Sequence, residues 1–332
     1  MKSTYRLMPR IFHSFIIAVV ILTGNLAGAQ ETIGNYKAFY GYGKYGTRDL
    51  IFLRKFTRNS IESYLAVDPQ ALETQMVPSK NIVASPLNWS ELLSKYKDTP
   101  YVKAILTAKK QSFALQDAGI IHGFPKEHGV TLTIDLCPSH KPLDRIVFTS
   151  LITEFQKIEK PVPVALSVSG KFMLTHAEDI QWLKGLVTSG DITITWVNHT
   201  YNHHFDPKIP LKDNFLLEPG TDLDFEILGT EISMLERGLL PSVFFRFPGL
   251  VSDNAIVGRV TGYGLIPVGS DAWLAKGQHA QAGSIVLIHG NGNEPVGVED
   301  FIALLRSQKN AVLAKQWLLY DLREAVDDEF KE

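Results

Sequence analysis

His199 and His203 stand i, i+4 at the end of an alternating β-branched run, Thr193-Ile194-Thr195-Trp196-Val197. On one turn of helix that spacing puts both rings on one face, where they can hold a metal ion together. The zinc-protease pattern needs a glutamate directly after the first histidine, and position 200 is threonine. That reading is excluded, and a histidine pair by itself is more often incidental than ligating. Four other residues with chemistry to offer, Asp135, Arg246, Asp271 and His289, share one feature with His199: each follows a stretch that reads as a strand.

The elements that must position them begin at Gly129. Val130-Thr131-Leu132-Thr133-Ile134 reads as a strand ending at Asp135, and a helix follows over 142–157. Strands at 162–168 and 192–197 flank a helix near 177–186. A long amphipathic helix over 223–237 leads to a strand at 243–245 that ends at Arg246. Further strands read at 264–268 and 284–288, the last running into His289. This alternating order implies a parallel sheet or a barrel. In such folds ligands bind and chemistry occurs at the carboxyl edge of the strands, where these residues gather. Taken singly, each has an ordinary structural reading. Asp135 suits a turn cap, Arg246 an ion pair, His289 a half-buried histidine and Asp271 a turn. Five together on separate strand ends are hard to assign to packing.

Lys2, Arg6 and Arg10 precede an apolar run from Ile11 through Leu26 that ends in Ala27-Gly28-Ala29, the form of a secretory signal peptide (residues 1–29). Its removal takes the formal charge from −2 to −5 and leaves no membrane span. A mildly acidic exported (periplasmic or secreted) chain without a basic block gives no support for nucleic-acid binding. With Cys137 as its single cysteine, the chain has no intramolecular disulfide and relies on its own core. Residues 30–125 read as a mixed N-terminal extension or accessory region. Aromatics and glycine dominate 36–45, a short strand reads at 50–53, and helical spacing covers 89–96 and 101–110.

Residues 129–320, within an expected domain over 126–325, resemble the polysaccharide deacetylase, or NodB-homology, family of carbohydrate esterases (family 4). Thr133-Ile134-Asp135-Leu136-Cys137-Pro138 matches its Thr-Phe-Asp-Asp-Gly-Pro motif, and His199-Thr200-Tyr201-Asn202-His203 its loose histidine motif. Arg246-Phe247-Pro248-Gly249, Asp271-Ala272-Trp273 and Leu287-Ile288-His289 follow in the family's order. The resemblance implies an α/β fold, a distorted (β/α) barrel, and hydrolysis of N- or O-acetyl groups from an acetylated polysaccharide or peptidoglycan-like polymer. It implies a divalent metal, zinc, on His199 and His203. Asp135 is the implied general base and His289 the general acid. Arg246 is to hold Asp135 ionised, and Asp271 is to orient and charge His289. Trp273, Leu287 and Tyr201 are the implied substrate-binding residues.

One departure matters. The family's second aspartate, its third metal ligand, is Leu136 here. Catalytic zinc usually has three protein ligands. Asp135, His140, His204 or Cys137 can complete the shell, the ion can bind weakly with extra water, or the chain is an inactive, glycan-binding relative. If position 136 faces the metal, an aspartate placed there is expected to restore the site.

Overall fold

The computed structural model describes residues 31–111, 115–123 and 128–330. The expected signal peptide lies outside the described residues, as does most of the glycine- and proline-bearing stretch at 123–129. Among the described residues no helix is long and apolar enough to cross a membrane. From Glu31 onward the chain forms one compact unit.

Five antiparallel strands come first: β1 (Ile33–Tyr45), β2 (Arg48–Arg58), β3 (Ile61–Val67), β4 (Thr74–Pro78) and β5 (Ser85–Pro86), in the order β4-β3-β2-β1-β5. Asn59 and Ser60 join β2 to β3 with φ of 49° and 68°. A two-residue turn with both residues left-handed matches the twist of the strands it connects. Two helices follow. α1 (Trp89–Lys95) starts from a capping box between Asn88 and Glu91, and α2 (Pro100–Lys110) from a Thr99 cap followed by proline.

The second sheet is parallel. Its elements are β6 (Gly129–Leu136), α3 (Arg145–Phe155), β7 (Val162–Val168), α4 (Gly170–Thr175), α5 (Ala177–Thr188), β8 (Ile192–Asn198), α6 (Thr230–Glu236) and β9 (Pro241–Phe245). They continue with α7 (Asn254–Gly262), β10 (Ile266–Pro267), β11 (Ala272–Trp273), β12 (Ile285–His289), α8 (Pro295–Ser307), α9 (Lys309–Leu313), β13 (Leu318–Leu319) and α10 (Leu322–Phe330). The strand order β10-β9-β8-β7-β6-β12-β11 makes a curled half-barrel, the distorted (β/α) barrel expected from the sequence. Residues 116–122, in the region read as an extension, pair into it: Ile120 bridges Val268 just past β10, and His122 bridges Ser284 just before β12. The expected helix over 223–237 is divided, a π-helical turn at Phe225–Gly229 leading into α6.

Strand parity separates core from site. All of β6 is buried. Leu132, Ile134 and Leu136 join the main core with Val147, Phe148 and Leu151 of α3. Thr131, Thr133 and Asp135 alternate with them and face the other side.

A buried ion pair ties the two sheets together. Arg54 of β2 is fully buried and grips Glu231 of α6 with two bonds, Nε to Oε2 at 2.7 Å and Nη2 to Oε1 at 2.8 Å. Its Nη1 donates to the carbonyls of Leu53 and Tyr263, and the Tyr36 hydroxyl of β1 donates to Glu231 Oε2 at 2.8 Å. Removing one partner of such a pair strands a buried charge, at a cost of about 3–5 kcal/mol. Glu231→Ala is therefore expected to lose that much stability, read from the urea midpoint at unchanged slope. A loss below about 1 kcal/mol would mean that the pair does not hold the sheets together.

Candidate functional site

Register brings the chemistry together. β12 lies beside β6 with His289 opposite Asp135, and β7 lies on the other flank with Ser167 opposite Asp135. His199 follows β8 and donates its amide to Val168 O, while Arg246 follows β9 and donates its amide to Asn198 O. Four strand ends thus present Asp135, His199, Arg246 and His289 at one edge.

Asp135 is 2% exposed. Its Oδ2 lies 3.7 Å from His199 Nε2 and its Oδ1 3.9 Å from Arg246 Nη1. Neither is a hydrogen bond, and Oδ1 is buried without a partner. Burial pushes this carboxyl up, but the charges of Arg246, His199 and His289 outweigh it and hold it below its usual value. The result is an ionised, buried carboxylate with an acceptor to spare. Arg246 is itself fully buried. Nη2 donates to Thr133 Oγ1 at 2.9 Å, and its carbonyl oxygen accepts from His199 Nδ1 at 2.9 Å. That bond puts the His199 proton on Nδ1 and leaves the Nε2 lone pair facing the site.

His203 reaches the same place by a route the sequence did not indicate. Residues 199–204 form a loop, not a helical turn, with Thr200 and His203 at φ of 66° and 48°. The two rings meet edge to face at 4.7 Å between centroids. Glu226, on the π-helical turn, fixes the loop by accepting from the amides of Tyr201 and Asn202 at 2.8 Å each and from Asn202 Nδ2. His203 Nε2 is buried with no hydrogen-bond partner. Cys137 completes the group: its Sγ is 3.5 Å from His199 Nε2, and one ligand atom each from Cys137, His199 and His203 lie within 4.8 Å of one another. Among the described residues no other three His, Cys, Asp or Glu side chains converge in this way. Burial pushes the Cys137 thiol up, and His203, His289 and His199 together bring it well below its ordinary value.

The expected pairing of Asp271 with His289 does not form. Asp271 precedes β11 and sits at the amino end of β12, where it accepts from Ile285 N at 3.0 Å and pairs with His122 Nδ1 at 2.6 Å. His289 is four residues further along, about 13 Å at the rise of a strand. The partner of His289 is Glu294, in the loop before α8: Nδ1 meets Oε2 at 2.8 Å, and Trp273 Nε1 donates to the same oxygen at 2.8 Å. Burial lowers the His289 pKa, but the Cys137 sulfur and then Glu294 lift it well above its usual value. Glu294 carries no sequence signal, since an acid before a helix usually serves the helix end. Asp117, from the bridging segment, is a further unexpected neighbour: its charge acts on Arg246 and its Oδ1 is buried without a partner.

The three expected substrate contacts divide. Trp273 lies beside His289, 5.8 Å between ring centroids. Leu287 is fully buried beneath Trp273 with Leu250, so it supports that wall from behind. The Tyr201 ring packs on Phe225, and a Cβ on Gly170 would meet it at 2.3 Å. Leu136 lies in the main core, so an aspartate there would bury a carboxylate among apolar side chains instead of restoring a ligand.

This geometry fixes a pH test. A general acid must be protonated, so if His289 has the role implied by the sequence, the alkaline limb of the rate would follow its pKa, which Glu294 raises. Glu294→Gln is expected to move that limb to lower pH, and Asp271→Asn to leave it in place. The reverse pattern in the two rate profiles would restore Asp271 as the partner.

No family model matches the chain. It is similar to three solved structures, among others. One is a family 4 carbohydrate esterase from Bacillus anthracis, at 17% identity and a TM-score of 0.46 over 66% of this chain and 89% of that one. The second is the peptidoglycan deacetylase PdaC from Bacillus subtilis, at 13% identity and 0.41 over 63% and 93%. The third is a CE4 family pseudoenzyme from Bacillus anthracis, at 14% identity and 0.42 over 63% and 69%.

Proposed function

We propose that the protein is an exported carbohydrate deacetylase that hydrolyses N- or O-acetyl groups of a sugar polymer. The observation that carries this reading is a buried carboxylate and an imidazole on adjacent strands in register, Asp135 and His289, the one facing Arg246 and the other braced by Glu294. Asp135 is kept ionised by Arg246 and has an unpartnered oxygen to accept a proton from water. The water oxygen adds to the acetyl carbon as that proton moves to Asp135. His289, protonated and braced by Glu294, donates its proton to the leaving amine or alkoxide as the acetyl–sugar bond breaks. His199 and His203 would hold a divalent ion such as zinc, which when bound would polarise the acetyl carbonyl and make a more acidic water available. The donor set suits such a group: Arg246 O holds His199 Nδ1 and so turns Nε2 toward Cys137 Sγ at 3.5 Å, and His203 Nε2 is buried without a partner. The Trp273 ring beside His289 is a wall against which the acetyl methyl or sugar face can pack.

A second reading, a glycan-binding relative without activity, has one observation in its favour, the apolar Leu136 where the family has a ligand carboxylate. The same experiment separates the two. Wild-type protein is expected to release acetate from an acetylated glycan such as peptidoglycan or an N-acetylglucosamine oligomer. Asp135→Asn should lower that rate by about 100- to 10,000-fold while polymer retention is kept, because an amide of the same shape accepts no proton. Retention without acetate release by wild type would favour the binding module. A variant rate near wild type would remove Asp135 from the chemistry.

A further inference from the structure

The structure assigns to Cys137 the place of third metal ligand, making with His199 and His203 a Cys/His/His centre for a thiophilic divalent cation. The inference rests on the proposed function only in taking an ion to lie between the two histidines. Four observations support it. Cys137, the first residue beyond β6, is buried with its sulfur toward His199, whereas Leu136 before it lies in the core. A tetrahedral ion with bonds of about 2.3 Å to sulfur and about 2.0 Å to nitrogen sets those ligand atoms about 3.5 Å apart. Cys137 Sγ and His199 Nε2 are 3.5 Å apart. His199 spends its Nδ1 proton on Arg246 O, leaving Nε2 as a donor to metal, and His203 Nε2 is buried with nothing to bond. Finally, the loop bearing Cys137 is latched: Asn291, itself fully buried, donates Nδ2 to Cys137 O at 2.6 Å.

The consequence is a change in ligand chemistry rather than the loss of a ligand. A thiolate supplies the negative charge that a carboxylate at 136 would have supplied, and it selects zinc or cobalt over magnesium or manganese. Three protein ligands leave a fourth position open, the arrangement of a catalytic site. Asp135 is then free of the metal and keeps its role as base.

Cobalt(II) added to the metal-stripped, full-length protein tests this without any substitution. Coordination by sulfur gives a thiolate-to-cobalt charge-transfer band in the near ultraviolet, and wild type is expected to show it. Cys137→Ser should lose the band and bind zinc at least about 100-fold more weakly, with His203→Ala weakened to a similar degree. Magnesium should not displace the cobalt. Cobalt bound without the band, no cobalt bound, or zinc affinity unchanged in Cys137→Ser would overturn the assignment. These readouts involve no acetate, so they fail separately from the proposed activity: a thiolate site without acetate release would sink only the hydrolase reading.

Discussion

A guanidinium buried to zero exposure at the mouth of a parallel sheet is the constraint on which the site depends. Arg246 can stay charged there only if anionic groups face it, since an isolated buried charge costs many kcal/mol. Asp135 and Asp117 are those groups, and burial still leaves its pKa below the usual value. The same residue acts twice more. Its charge is the largest influence holding Asp135 ionised, and its carbonyl oxygen fixes the tautomer of His199. One side chain and its own backbone therefore set the state of a candidate base and of a candidate metal ligand. Asp117 reaches it from the segment that bridges the ends of the half-barrel, so closing the sheet and charging the site are one structural event.

The parallel half was legible because its strands are short, buried and end in polar residues. Asp135, His199, Arg246 and His289 were found by that rule, and register then placed them at one edge. The rule failed for Asp271, because β11 is two residues long and begins after it rather than before it. Glu294 was hidden for the opposite reason. It belongs to a loop after a strand, where nothing in its neighbours distinguishes a partner for histidine from an acid beside a helix. Cys137 was visible as a candidate, yet only packing shows that Leu136 faces the core and Cys137 does not. The histidine pair converges through left-handed backbone at Thr200 and His203, a conformation that no spacing rule anticipates.

The antiparallel sheet was the least legible part. β1 pairs with β2 through two register shifts, between Gly34 and Lys37 and between Ala38 and Gly41. Each bulge breaks the period-2 alternation by which a strand is recognised, so the aromatic run at 36–45 reads as irregular. The Arg54–Glu231 pair is likewise invisible in sequence, since its members are far apart in the chain and each looks like a surface charge.

The geometry also contains a competitor to metal-assisted hydrolysis. The Cys137 sulfur acts electrostatically on His289, and His289 Nδ1 meets Glu294 Oε2 at 2.8 Å; a thiol, an imidazole and a carboxylate are the groups that thiol hydrolases use as nucleophile, base and orienting partner. Acetate release by metal-stripped protein as zinc is added back separates the two. The account places Cys137 on the metal and the attack with water, so release should be absent without metal and should rise to its limit at stoichiometric zinc. Full activity before any zinc is added, falling as zinc occupies the thiolate, would contradict it.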